Sequence, residues 1–429
     1  MKFVNTILLS ALSLGVVAQE PKNVIMVVGD GMGPAYTTAY RYFADDKNTL
    51  DVEQTVFDRM LVGMASTYPA RISGYVTDSA AGATALATGV KSYNGAIAVD
   101  VDKKPVPTVL EWAKEQGMKA GVAVTSQINH ATPAGYSAHN ESRKNYDQIA
   151  DSYFDEKIND HFVLDVMLGG GWDYFIRDDR NLVAEFKKAG YQYVDNIADL
   201  KTANSKQPLL GLFAEQGLDW ALDMPPKQRL KTLTQAAVEH LENDQGFFLL
   251  VEASQIDWAG HSNDVGAAMS EMQDLAQTMT WLEQYVDAHP DTLLVLTADH
   301  STGGFTIGAN KIYRWEPQWL DNLQASPYAI AKQLMSAEKK SALAAELLGF
   351  SLNEEEKSKI EAIDTQDEEI AYQTVKTLLD VRTNTGWTTG GHTGVDVPVF
   401  AKGPGSEMFR GMLNNTQVAD NIFSLLGRK

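Results

Sequence analysis

The 429-residue chain carries no cysteine, 44% apolar residues and a formal net charge of −20. The lack of thiols excludes disulfides, cysteine nucleophiles and thiolate metal ligands, so a bound metal must rest on His, Asp, Glu and hydroxyl or carbonyl oxygens. The acidic balance, with no Lys/Arg cluster, argues against nucleic-acid binding.

In chain order, residues 1–18 read as a secretory signal. Lys2 gives the positive start, 7–17 is mostly apolar, and Val16, Val17 and Ala18 are small residues before a cleavage point. This predicts an exported, periplasmic or extracellular protein whose remainder, 19–429, is one α/β domain. Gln19 and Glu20 end the apolar run short of the roughly 20 residues a membrane span needs, and no later run reaches that length.

Asn23–Gly29 (NVIMVVG) is short, Val-rich and ends in Asp-Gly, as a buried parallel strand does. Similar runs are 119–125 (KAGVAVT), 247–251 (FFLLV), Thr292–Thr297 (TLLVLT) and 397–401 (VPVFA). Helical patterns at 79–87, 108–116, 229–242, 266–288 and 417–426 lie between and around them. The alternation predicts a central, mostly parallel sheet with helices on both faces. Segment 313–382 breaks the rhythm and reads as an insertion over the site. Its Trp315, Trp319, Leu320 and Tyr328 are too apolar for a free loop, so burial against the body or a partner subunit is expected.

Polar residues gather at the strand ends, where open α/β sheets bind ligands. Asp30 follows the first strand between glycines that allow close backbone approach. Asp78 has the character of a helix N-cap, with Ser79 in the first turn among free N–H groups suited to a phosphate. Glu252 follows FFLLV, Asp299 and His300 follow TLLVLT, and His392 sits in a Gly-rich loop. Asp257 and His261 are four apart and share one face of a helix. His240 and His289 have no such setting and read as ordinary core or surface residues. Carboxylates with imidazoles and no thiols suit zinc, and magnesium where oxygens dominate.

These segments together, DGMG at Asp30, TDSAAGATA at Ser79, HATPA from His130, SRK at Arg143, VEASQIDWAGH, ADHSTGG and GGHTG, resemble the ordered motif set of the alkaline phosphatases. The resemblance implies that family's fold and a site of two zinc ions and one magnesium. It implies one zinc held by Asp257, His261 and His392, and the other by Asp30, Asp299 and His300 beside Ser79. Asp30 would bridge to magnesium, which takes Glu252 and Thr132. Ser79 would be the nucleophile, Arg143 the phosphoryl clamp, and phosphate monoesters the substrates, in a homodimer with the insertion near the active-site rim. His130 and Trp258 stand where many bacterial members have Asp and Lys. Both resemble the marine, cold-adapted type and are expected beside the metals, not among their ligands.

A phosphodiesterase of the same superfamily is the alternative. A sulfatase would need Cys or Ser in a Cys/Ser-x-Pro-x-Arg motif, and the nearest match, Thr67 to Arg71 (TYPAR), begins with Thr. A non-catalytic phosphate or metal binder would lack the nucleophile or a ligand. A structural surface protein would show repeats, and none is present.

Overall fold

Asn23–Gly29 is buried at every position, as a run without polar alternation must be when both faces of its sheet are covered. The computed structural model describes residues 20–224, 228–364 and 366–428; the signal segment 1–18 lies outside them. Ten strands form the main sheet: β1 Asn23–Gly29, β2 Leu61–Ser66, β3 Lys119–Gln127, β4 Val166–Gly170, β5 Gln192–Val194, β6 Leu209–Leu212, β7 Phe247–Ala253, β8 Thr292–Thr297, β9 Val397–Lys402 and β10 Gly411–Asn414. Their spatial order is β10-β2-β9-β8-β1-β7-β3-β4-β6-β5. All five expected strands are there, and β2, β4, β5, β6 and β10 are added.

Helices Arg229–Leu241 and Val265–Ala288 pack on each other and on the central strands. Helices Ser79–Thr88, Val109–Glu115, Ala131–Ser137 and Asn415–Leu425 make a separate packed group. The layout is the expected α/β sandwich, with one qualification. β9 alone runs against its neighbours, antiparallel to both β8 and β2, while every other pairing is parallel. The start of β9 therefore lies at the same edge as the C-terminal ends of β1, β7 and β8. The chain comes back from the insertion at that edge and delivers His392 just before β9, whereas Asp30, Asp299 and His300 come just after their strands.

The insertion contains helices Pro327–Leu334, Lys340–Leu348, Glu354–Glu361 and Glu368–Thr383. It docks beside the segment following His261: the Tyr372 hydroxyl donates to Asp264 Oδ2 at 2.7 Å and Lys376 Nζ donates to the Ser262 carbonyl at 2.5 Å. Burial of its apolar residues against the body, one of the two arrangements expected, is seen only in part. Leu320 is buried, but Trp315 and Trp319 are half-buried and Tyr328 is 39% exposed. Local partners explain the difference: the Arg382 guanidinium lies over the Trp319 ring, and Tyr328 meets Tyr372 edge-on. Among the described residues no helix is long and apolar enough to cross a membrane.

Candidate metal centre and active site

The strand ends converge as their order requires. Asp30, Glu252 and Asp299 are fully buried, on β1, β7 and β8 or one or two residues beyond. Gly31 turns the chain away after Asp30 at φ +72°, and a Cβ there would lie 2.7 Å from the Asp257 Cα. Gly33 sits against Ser301, with no room for a side chain. Glycine is required at both places, because the β1 turn comes against the Asp257 helix at Gly31 and against Ser301, just after His300, at Gly33.

Three groups of candidate ligands result, with the donor atoms in each within 4.8 Å of one another: Asp257, His261 and His392; Asp30, Asp299 and His300; and Asp30, His130 and Glu252. In the first, helix Gln255–His261 carries Asp257 and His261 on one face. His261 Nε2 lies 3.3 Å from Asp257 Oδ2 and 3.1 Å from His392 Nε2. His261 Nδ1 faces the Gly390 carbonyl at 2.7 Å, and His392 Nδ1 faces the Thr77 carbonyl at 2.8 Å. A carbonyl only accepts, so each Nδ1 carries a proton and each Nε2 is turned toward the other and toward Asp257, where it can give its lone pair to a cation; without one, the Asp257 hydrogen bond lifts His261 to about 9 and that ring holds a second proton. Two imidazole nitrogens and a carboxylate oxygen in such a triangle need a proton or a cation between them, and the geometry suits either.

The second group shows the same logic. Thr302 Oγ1 donates to Asp257 Oδ1 at 2.5 Å, so it accepts from His300 Nδ1 at 3.2 Å. His300 Nε2 is then turned into the site, 3.1 Å from Asp299 Oδ2, 3.5 Å from Asp30 Oδ1 and 3.2 Å from Ser79 Oγ. Asp299 Oδ1 is held by the N–H groups of Gly31 and His300 at 3.2 and 3.0 Å.

In the third group Glu252 Oε2 accepts from Ser254 and Ser126 at 2.6 and 3.2 Å. Both Asp30 oxygens, Glu252 Oε1, Asp299 Oδ2 and Thr132 Oγ1 are buried without a hydrogen-bond partner. Buried carboxylate oxygens without donors are rare and costly, and a cluster of them fits hard or borderline cations. Burial, then the charges of Asp299, Asp257 and Glu252, push the Asp30 carboxyl well above its ordinary range, and burial lifts Glu252 to about 7. For Asp257 burial acts in the same sense but is outweighed by the His261 hydrogen bond and the charges of His300, His261 and His392, which hold it low.

Ser79 opens helix Ser79–Thr88, whose run of Ala and Gly lets it pack closely; a Cβ on Gly82 would meet Asp299 Cβ at 3.0 Å. Asp78 is the N-cap, as expected: its Oδ1 accepts from the backbone N–H groups of Ala81 and Gly95, both at 3.0 Å. Its other oxygen accepts from Arg143 Nη1 at 3.1 Å. Arg143 Nη2 donates to His130 Nε2 at 3.2 Å. Since arginine has no acceptor, His130 Nε2 accepts and the proton sits on Nδ1, leaving no lone pair for a cation while that bond holds. Burial, reinforced by Arg143, pulls the His130 pKa down to about 3, so the ring is neutral. His130 meets Trp258 edge-on at 6.0 Å, and Trp258 lies against Gly217, where a Cβ would come within 2.3 Å of the indole. The sequence reading missed Thr302, whose only sequence signal is its place two residues after His300. His240 and His289 lie apart from the site, His240 facing the Gln207 carbonyl and His289 stacked on Tyr285.

Every residue singled out from the motifs is thus at one edge of the sheet: a serine at a helix N-terminus, a guanidinium beside its cap, and three clusters suited to cations. Such a site on such a fold defines a hydrolase of the metal-binding α/β class. The family model for alkaline phosphatase matches residues 21–427, and the chain belongs to the alkaline phosphatase family. It is a phosphate monoester hydrolase. It is 48% identical to alkaline phosphatase 3 of Bacillus subtilis (strain 168), over 95% of this chain and 89% of that one. Its structure is similar to that of a cold-active alkaline phosphatase from the psychrophile Shewanella sp., at 50% identity and TM-score 0.89, over 94% of this chain and 99% of the other. It is also similar to the alkaline phosphatase of the Antarctic bacterium TAB5, at 27% identity and TM-score 0.71 over 95% and 99%, in a variant with a histidine replaced by aspartate and magnesium in its M3 site.

The unpartnered oxygens predict a strong link between cations and stability. Stripping metals with a chelator should lower the melting temperature, and restoring them should recover it, because a ligand at a thousandfold excess over its Kd stabilises by about 4 kcal/mol. Asp30→Asn removes one of the repelling charges, so its stripped form should melt above the stripped parent although activity is lost. Scanning calorimetry of both proteins, with and without chelator, checks this; equal melting temperatures for the two stripped proteins would count against it.

Proposed function

We propose that the enzyme hydrolyses phosphate monoesters through a phosphoserine on Ser79, with zinc held by Asp257, His261 and His392, a second zinc held by Asp30, Asp299 and His300, and magnesium held by Asp30, Glu252 and Thr132. The observation that carries this reading is the position of Ser79 Oγ, at a helix N-terminus and 3.2 Å from Nε2 of His300. When bound, such cations supply Lewis-acid stabilisation of the attacking and leaving oxygens. Ser79 Oγ bonds to phosphorus as the ester P–O bond breaks and the alcohol departs; water then cleaves the phosphoserine and releases phosphate. The free N–H groups of the helix start face the negative phosphoryl group. Arg143, fixed by Asp78, offers its fork to two non-bridging oxygens. A monoester dianion answers such a fork better than a diester, which favours monoesterase over phosphodiesterase action.

Ser79→Ala should keep its metals and lose the covalent intermediate. Mass spectrometry of the parent after an acid quench with substrate should place one phosphoryl group on Ser79. A phosphoryl group on another residue would falsify the assignment.

His130 offers a neutral ring beside the third cluster where a carboxylate would add charge and an oxygen. The histidine-to-aspartate variant of the Antarctic relative, with magnesium in its M3 site, supports reading His130 as the residue that governs how firmly magnesium is held. His130→Asp should lower the magnesium concentration for half-maximal activity by roughly tenfold. Titration of metal-depleted parent and variant at fixed zinc measures this, and superimposable curves would make His130 a bystander.

Export to the periplasm or medium and assembly as a homodimer complete the proposal. The leader pattern of 1–18 supports the first. Exposed Leu61 and Met412 on the paired strands β2 and β10 leave apolar surface for the second. Cell fractionation and sedimentation should find a leaderless protein outside the cytoplasm at twice the chain mass; a cytoplasmic protein or a monomer would refute the corresponding part.

A further inference from the structure

Arg143 stands in an irregular segment between helices Ala131–Ser137 and Tyr146–Asp155, so its own backbone does not fix it. The neighbouring 95–98 segment does. Asn140 and Ile97 exchange backbone hydrogen bonds at 2.9 and 3.0 Å, and the Arg143 N–H donates to the Gly95 carbonyl at 2.8 Å. Segment 95–98 is tied in turn to the helix of Ser79: Thr84 Oγ1 donates to the Ala96 carbonyl at 2.9 Å and accepts from the Ala98 N–H at 3.0 Å.

His139 closes this arrangement. Its Nδ1 lies 2.8 Å from the Ala98 carbonyl and its Nε2 lies 2.8 Å from Glu111 Oε1. Ala98 is held at φ +42°, and its carbonyl also accepts from the Val106 N–H at 2.9 Å. Glu111 is fixed by the capping box of its own helix, where Oε2 accepts from the Thr108 N–H at 2.9 Å. Both partners of His139 are acceptors, so both bonds need a proton on each ring nitrogen. The carboxylates acting on the ring are Glu111 and Glu156. Burial works against the charged ring, but the Glu111 bond and charge outweigh it and hold its pKa above the ordinary value.

We propose that His139 is a positioning residue for Arg143: bonded at both ring nitrogens, it ties the segment carrying the guanidinium to Glu111 and to Ala98, and through the 95–98 segment to the helix that presents Ser79. The inference rests on Arg143 as the phosphoryl clamp, and the test separates the two ideas. Inhibition by inorganic phosphate, KM and kcat for an aryl phosphate, and metal content are measured for the parent, His139→Ala, Arg143→Ala and the double variant. His139→Ala should weaken phosphate inhibition and raise KM by about tenfold, below the cost of a full 1 Å displacement, with kcat changed far less and metal content unchanged. In the Arg143→Ala background the same change should add nothing, because the residues act as one unit. If His139→Ala does not fold, Glu111→Gln keeps the helix cap, removes the charged acceptor and completes the same cycle. An Arg143→Ala enzyme that binds phosphate as tightly as the parent overturns the clamp, and the proposal with it. An Arg143→Ala enzyme that binds it weakly, yet shows the full His139 effect, overturns the proposal alone.

Discussion

Four carboxylates, those of Asp30, Glu252, Asp257 and Asp299, lie buried at one edge of the sheet and share their neighbours. Charges of like sign 4 Å apart repel by about 4 kcal/mol per pair at the effective dielectric of a protein. In a loop they would swing apart. Here they cannot, because three of them are anchored at the ends of β1, β7 and β8, whose parallel ladders fix the backbone, and the fourth stands on a helix pressed against the first turn. The hydrogen bonds around them remove every other outlet. The Nδ1 atoms of His261, His300 and His392 are engaged by a carbonyl or hydroxyl, so their Nε2 atoms point inward. The fold thus stores a concentrated demand for positive charge, and Ser79 stands beside it.

The demand explains features that packing alone does not. Gly31 is needed because the turn after Asp30 and the helix of Asp257 touch, and Gly33 because the same turn presses on Ser301 beside His300. The small residues after Ser79 serve the same closeness from the other side, bringing a helix N-terminus up to Asp299. The reversal of β9 answers a topological limit. The carboxyl edge receives a residue after each parallel strand, but a ligand that precedes its strand can reach that edge only if the strand runs the other way. His392 does so.

Much of this was legible in the sequence. Short, Val- and Leu-rich apolar runs ended by turn residues read as strands covered on both faces, so β1, β3, β7, β8 and β9 stood out, and Asp257 and His261 were recognisable by helical spacing. The other five strands were not. β5 and β10 are edge strands of three and four residues, β2 is half-exposed, and β4 (VMLGG) ends in glycines. Their identity comes from neighbours far away in the chain, which no local window contains. The direction of β9 was hidden for the same reason. Trp315, Trp319 and Tyr328 are covered by the body only in part, and composition could not tell which cation or ring lies against Trp319 and Tyr328. Thr302 and the bond between His130 and Arg143 join residues that only the fold brings together.

Asp78 shows how tightly the parts of the site constrain one another. Its Oδ1 accepts from the Ala81 and Gly95 N–H groups, and its Oδ2 accepts from Arg143. The same carboxylate therefore starts the helix that carries Ser79, holds the 95–98 segment, and aims the guanidinium. A capping bond is ordinarily worth about 1 kcal/mol of helix stability. Here the larger consequence is geometric. In-line transfer needs the nucleophile and the phosphoryl clamp in a fixed relation, and misplacement by about 1 Å can cost a hundredfold in rate. Asp78 thus joins the start of the Ser79 helix, the 95–98 segment and the Arg143 guanidinium through one side chain, and the separation between the proposed nucleophile and clamp rests on it together with the backbone bonds of that segment.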